Sequence, residues 1–277
     1  MTLIQAIVLG LVQGLSEFIP ISSTAHLRIV PALLGWGDPG AAASAVIQLG
    51  TLLAVLIYFA RDIVKITKAF FAALLSGKPF GTHDARLGWY IIAGSVPIVI
   101  IGLLMKDFIE EGARSLWIIA GSLIVLALFL GLAERVAAKS ELRVIGDIAL
   151  KDALLVGLAQ CLALIPGASR SGTTIMAGLF QRLTHEAAAR FSFLLSVPAI
   201  LGSGLFELFL EREHLAELGW LSIAVAVFVS FLSGWLSIYF LIRYLRTHTT
   251  RLFIIYRIVL GLVIIGLLLG GILQPFG

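Results

Sequence analysis

The chain has 277 residues, 60% of them apolar and only 13% charged, with a mean hydropathy of +1.05. Soluble domains are about half apolar and roughly a quarter charged, so the composition describes a helical protein that crosses a membrane several times. The formal charge of +4 is dispersed between apolar runs, the pattern of membrane loops, and this excludes a nucleic-acid partner. Ten-residue alternating segments are missing, which excludes a membrane β-barrel. Cys161 is the single cysteine and cannot close an internal disulfide. The chain starts straight into an apolar run, without the basic and small-residue landmarks of a signal peptide.

Residues 3–16 read as a helix too short for a ~30 Å hydrocarbon core. Pro20 interrupts it, and a second short helix at 23–35 runs to the turn Gly35–Gly40. Two half-length helices around a polar tip predict a re-entrant hairpin, 3–35, whose irregular backbone is tolerated where it lines a wet cavity. Full spans follow at 41–59, 88–105 and 115–133, with a basic link at 60–87. The pattern then restarts. A hairpin at 150–183, made of short helices 150–165 and 173–183 around Pro166, precedes spans at 187–209, 220–242 and 252–272.

Lining up Gln13 with Gln160 puts every later element in the same order. The expected fold is therefore an all-α polytopic membrane protein built from an inverted-topology repeat, residues 1–134 and 150–277. Each half is a re-entrant helical hairpin plus three transmembrane helices. Three crossings invert the second half, so the hairpins enter from opposite faces and their tips meet near the midplane. Basic residues such as Arg61, Lys65, Lys68, Arg135, Lys139, Arg143, Arg246 and Arg251 gather on one side. Only Arg28, Lys106, Arg114 and Arg212 lie on the other, beside Glu110, Glu111, Glu211 and Glu213. The first side is expected in the cytoplasm, with both termini and the mouth of the first hairpin outward.

The two tips carry the polar chemistry. Glu17 is costly at membrane depth unless paired or wetted, about 2.5–3.5 kcal/mol on the lenient insertion scale. Gln13 shares its helical face and suits a phosphate, a water or a metal ligand, or equally an interhelical hydrogen bond. Ser22, Ser23 and Thr24 follow Pro20; at least one is expected to cap the next helix, whose N-terminus suits a phosphate. His26 lies on the face of Ser23, within reach of an acid/base or nucleophilic role. In the second tip Arg170 sits among Ser169, Ser171 and Gly172, a setting for forked contacts to an anion, or for a pair with Glu17. Thr173 and Thr174 are expected to open the following helix. Two helix starts and an arginine converging on one point describe a strongly anionic ligand such as a diphosphate. Glu207 and Arg257 are read as snorkelling near the ends of their spans. Gly-Lys-Ser, HExxH and CxxC motifs are missing, leaving ATP-driven transport and those metal or redox chemistries without support.

Gln13-Gly-Leu-Ser-Glu17, then Pro20-Ile-Ser22-Ser23-Thr24-Ala25-His26, and Pro166-Gly167-Ala168-Ser169-Arg170-Ser171-Gly172-Thr173-Thr174-Ile175 resemble the paired motifs of the bacterial undecaprenyl-diphosphate phosphatase family, the bacitracin-resistance proteins. The likeness spans essentially the whole chain. It implies hydrolysis of undecaprenyl diphosphate to the monophosphate and phosphate, recycling the lipid carrier of peptidoglycan synthesis on the outer face of the bacterial inner membrane. It also implies a divalent cation, Mg²⁺ or Ca²⁺. Glu17 would be base or metal contact, Ser23 and His26 nucleophile or proton donor, and Arg170 the diphosphate clamp. Gln13, Ser22, Thr24, Ser169, Ser171, Gly172, Thr173 and Thr174 would complete the substrate contacts. Some members carry Glu at position 13; Gln13 shifts the burden of metal binding to Glu17. The nucleophile stays open among Ser23, His26 and water, and a homodimer stays open. The rival expectation is a polyprenyl-phosphate transporter or flippase on the same repeat.

Overall fold

The computed structural model describes residues 1–38, 40–105 and 115–275, and among them every regular element is a helix. Lys106, Glu110, Glu111 and Arg114, counted above in the charge balance, lie outside the described residues. Helix α1 is Leu3–Phe18, opened by a capping box in which the Thr2 hydroxyl accepts from Gln5 N and the Gln5 side-chain Oε1 accepts from Thr2 N. It stops where Pro20 disfavours helix, and Ile19 is extended. Helix α2 is Ser23–Leu33, α3 Gly40–Tyr58, α4 Ala60–Leu75, α5 His83–Leu104 and α6 Leu116–Ala137. Next come α7 at Leu150–Gln160, a tight turn at Cys161–Leu164 and α8 at Arg170–Phe180. Helices α9, His185–Leu210, α10, Arg212–Leu218, α11, Trp220–Leu245, and α12, Arg251–Leu269, complete the order.

Five of these, α5, α6, α9, α11 and α12, are each long and apolar enough to cross a membrane. Helices α3 and α4 pass that test jointly, across a bend of 77°. The protein is an all-α polytopic membrane protein. Several bounds shift by a few residues, and two of the differences have a plain physical cause. The stretch 60–87, read as a basic link, contains α4. Its Ile63, Ile66, Phe70 and Ala73 recur at helical spacing, and Ile66 and Ala73 are buried while Arg61, Lys65 and Lys68 are exposed. That is an amphipathic helix suited to the interface, and its cations mask the apolar stripe. Helix α8 starts at Arg170 rather than 173, because Ser169 supplies the cap.

The two hairpins match closely. The alignment of Gln13 with Gln160 carries Leu3 onto Leu150, Ser23 onto Arg170 and Leu33 onto Phe180, which are the observed starts of α1 and α7 and both ends of α2 and α8. Each hairpin's first helix packs on a span of the other half, α1 on α11 and α7 on α5. Glycines permit both crossings. A Cβ on Gly10 would lie 2.5 Å from the Ala226 carbonyl, and one on Gly157, its counterpart, 2.2 Å from that of Gly94. Helices α3 and α9 pack together, as do α6 and α12.

Contacts also sort the chain ends and loops. The Met1 ammonium donates to Leu218 O at 3.0 Å, and Leu116 N to Pro275 O at 3.0 Å. At another set of loops Arg190 pairs with Asp62 at 2.7 Å and Arg246 with Glu186 at 3.0 Å. There the base of the second hairpin is tied down by Arg143, which pairs with Asp152 at 2.6 Å and whose N–H donates to Arg182 O. The Asp152 carboxylate pushes the Arg143 guanidinium up from its ordinary range.

Candidate active site

Both tips use one backbone device. Ser22 (φ 75°, ψ 100°) and Ser169 (φ 69°, ψ 109°) cap α2 and α8 from the left-handed region, accepting from Ala25 N at 3.3 Å and Gly172 N at 3.1 Å. Among the described residues they are two of the three non-glycines with positive φ. Such a conformation is uncommon for a serine and clusters at functional sites. It turns the chain sharply enough to bring the first residue of each helix, Ser23 and Arg170, onto one carboxylate of the first tip.

Glu17 joins them. One carboxylate oxygen, Oε1, accepts from the Arg170 guanidinium. The other, Oε2, accepts from Ser23 Oγ at 2.6 Å and from Gln13 Nε2 at 2.7 Å. Glu17 is only 5% exposed, so these donors stand where bulk water would otherwise solvate its carboxyl group. Leaving one member of such a buried pair alone costs about 3–5 kcal/mol. Neighbours lock the geometry. Phe18 packs edge-on against Phe193 of α9 with ring centroids 5.1 Å apart. Ser171 Oγ donates to the Glu17 and Ile19 carbonyls at 3.2 and 3.3 Å, holding one tip to the other. Arg170 also donates to Ser196 O at 3.3 Å.

Glu17, Ser22, Ser23, Thr24, Ser169 and Arg170 line a cavity of about 410 Å³. Its remaining walls come from α3, α5, α9 and the tight turn Cys161–Leu164, with apolar Ile98, Val99, Leu103, Leu164, Ile200 and Phe206. A charged, hydroxyl-rich end thus faces an apolar trough, the arrangement an anionic lipid requires.

The other expected residues stand off this cavity. Thr173 and Thr174 are buried in the first turn of α8 and bond the Arg170 carbonyl at 3.0 and 2.7 Å; Thr174 also meets Ser192 Oγ at 2.6 Å. Gly172 packs beside the Arg257 guanidinium, which a Cβ would approach to 2.6 Å. His26 places Nδ1 2.7 Å from Ser22 O and Nε2 2.6 Å from the Tyr256 hydroxyl, its ring stacked on that tyrosine.

Sequence reasoning missed two cavity residues, Gln48 and Ser203, and set Glu207 and Arg257 aside as snorkelling side chains. Gln48, Ser203 and Glu207 also line the cavity; for Glu207 the rule that singled out Glu17, an acid inside a span, was the available signal. Arg257 does not snorkel. It is fully buried and donates to the carbonyls of Ser122, Leu123, Gly167 and Ala168 at 2.9–3.4 Å, so it fastens the second tip to α6.

A resident metal site made by protein alone does not fit. Among the described residues no three His, Cys, Asp or Glu side chains gather. Hard oxygen donors are nevertheless present, because Gln13 Oε1 is buried without a partner one turn from Glu17. Carboxylate and amide oxygens with substrate phosphates are the ligands Mg²⁺ or Ca²⁺ prefers, so the donor set fits an ion completed by a diphosphate.

A family model described as bacitracin resistance protein BacA matches residues 6–263. The chain is 57% identical to a protein of Chlorobium phaeobacteroides (strain BS1) named undecaprenyl-diphosphatase, over 99% of this chain and 100% of that one. Proteins of the same name from Chlorobium phaeovibrioides (strain DSM 265 / 1930) and Chlorobaculum tepidum are 54% and 52% identical, again over 99% of this chain and 100% of theirs. With tips, cavity and full-length identity in agreement, this chain belongs to the bacitracin resistance protein BacA family.

Proposed function

We propose that the protein is a membrane phosphatase that hydrolyses undecaprenyl diphosphate, the substrate its relatives' name carries, to undecaprenyl phosphate and inorganic phosphate. The observation that carries this reading is the Glu17 carboxylate, bonded at once to a hydroxyl nucleophile and to a guanidinium. A nucleophile and its base within hydrogen-bond reach are what covalent catalysis needs.

The geometry supports Ser23 as the attacking group. As Ser23 Oγ bonds to the terminal phosphorus, its proton passes to Glu17 Oε2 and undecaprenyl phosphate departs with the bridging oxygen. Water then attacks the phosphoserine. The Ser23 oxygen leaves with the proton held on Glu17, phosphate carries off the new hydroxyl, and one proton enters the cavity. Arg170 exchanges its bond to Glu17 for the diphosphate and neutralises charge there, where most phosphoryl-transfer catalysis lies. The helix starts of α2 and α8 add their dipoles. Glu17 and Gln13 Oε1 would hold the divalent cation, Mg²⁺ or Ca²⁺, which supplies further charge neutralisation for the leaving phosphate. His26, facing Tyr256, has no part in these steps. The apolar trough between α5 and α9 would take the polyprenyl chain. In the cell the proposed setting is the bacterial plasma membrane with the cavity opening outward, where the reaction recycles the lipid carrier and confers the resistance for which the family is named.

The test is phosphate release by purified protein in detergent, with no gradient or sealed membrane, which a transporter alone would not perform. Ser23→Ala, Glu17→Gln and Arg170→Ala should each lower turnover by roughly three orders of magnitude. Acid-quenched wild type, given substrate labelled in its terminal phosphate, should yield phosphoserine at position 23. Turnover retained in Ser23→Ala would move the attack to water.

A further inference from the structure

A second cavity, of about 500 Å³, lies between the C-terminal end of α6 and the start of α12. Arg135, Lys139 and Arg251 line it, and none of the three forms an ion pair among the described residues. The acid beside them, Glu134, is already engaged. It meets His185 Nε2 at 3.0 Å through both oxygens and accepts from the Thr250 N–H and hydroxyl at 2.6 Å. Three cations thus converge on a hollow whose one carboxylate is turned to other donors, an arrangement that calls for an anion from outside the chain.

The surface next to the hollow identifies the kind of anion. Below the cations, Leu128 of α6 and Ile255 and Val259 of α12 are 56%, 62% and 54% exposed. Val259 is one turn beyond Ile255, and Leu128 lies two turns before Arg135, so each apolar stripe continues the face that lines the cavity. A free phosphate would use the cations and leave the stripe bare. A phospholipid uses both. We infer that this cavity is a binding site for the phosphate headgroup of an anionic phospholipid, whose acyl chains lie along the α6–α12 seam. Basic hollows between membrane helices at headgroup depth are suited to such lipids. The site is separate from the catalytic tips: Ser122, where α6 meets the second tip, is thirteen residues before Arg135, roughly 20 Å along the helix. Helices α6 and α12 serve both places, since Arg257 joins them to the tip.

Native mass spectrometry of the full-length protein in detergent tests this, with cardiolipin, phosphatidylglycerol, phosphatidylethanolamine and inorganic phosphate as probes. Wild type should retain the two anionic lipids in preference to phosphatidylethanolamine, and inorganic phosphate at millimolar concentration should not displace them. The triple variant R135Q/K139Q/R251Q should bind the anionic lipids about a hundredfold more weakly, the change expected from three cations near a membrane surface. It should release phosphate from substrate in lipid-free detergent at the wild-type rate, which also shows that it is folded. R61Q/K68Q/R86Q, with the same loss of charge on residues outside this cavity, should keep wild-type lipid affinity. Equal affinity in the first variant, an equal loss in the second, or displacement by inorganic phosphate would overturn the assignment. If the triple variant does not fold, the single variants R135Q and K139Q replace it, each with an expected loss of about fivefold.

Discussion

Arg257 sets the terms at the scale of single residues. It is a guanidinium with no exposed surface, and backbone carbonyls from α6 and the second tip surround it. Those bonds hold Gly167 and Ala168 turned away from the cavity while Ser169 and Arg170 face it. Removing the guanidinium leaves buried acceptors unsatisfied, at about 1–3 kcal/mol for each that water cannot reach. Arg257→Ala should therefore lower the detergent melting temperature by roughly 5–10 °C and reduce kcat. Arg257→Lys, with three donors on a single nitrogen, should recover part of the stability. A melting temperature unchanged in Arg257→Ala would show that the tip holds itself. The charged pair of the cavity was legible in the sequence because Glu17 and Arg170 interrupt apolar runs and a membrane makes such interruptions costly. Arg257 interrupts one equally, but its partners are carbonyls of distant elements, and a backbone acceptor leaves no mark on residue type. The same blindness covers His26: spacing places it on the face of Ser23, whereas its ring is committed to Tyr256.

At the scale of elements, hydropathy and proline positions carried most of the helix bounds, including both broken hairpins. What they could not carry was amphipathic α4, where cations diluted the apolar signal, and the left-handed serine caps. Cross-half packing depends on close approach. Gly157 has the Gly94 carbonyl where a side chain would begin, whereas Gly121 of α6 has nothing within 4 Å of that point. Gly157→Ala must push α7 off α5, carrying the second tip out of register with Glu17. It should destabilise the protein and depress turnover at least tenfold, since small displacements of reacting groups are costly. Gly121→Ala should be neutral or stabilising by about 0.5–1 kcal/mol, because glycine is the poorer helix former. Paired thermal melts and turnover rates check both, and equal behaviour of the two variants would refute the close-packing argument.

For the whole molecule, the proposed chemistry requires two hairpins far apart in sequence to meet. The first hairpin begins at Met1, tied to Leu218, and the second at Arg143, tied to the loop after α8. The two bases rest on different sets of loops, and these contacts support the proposal that the halves are inverted in the membrane. The basic loops would then face the cytoplasm and both termini the outside. Labelling with a membrane-impermeant maleimide tests this in a Cys161→Ser background. Gly37→Cys and Glu213→Cys should react in intact cells with their outer face accessible, whereas Lys78→Cys and Thr247→Cys should react only after permeabilisation. If Lys78→Cys and Glu213→Cys, in the equivalent loops after the first span of each half, label from one face, the halves are not inverted across the bilayer. If all four behave as expected, entry from opposite faces leaves the bilayer interior as the place where Glu17 and Arg170 meet, which explains why the bond between them spans 153 residues of sequence.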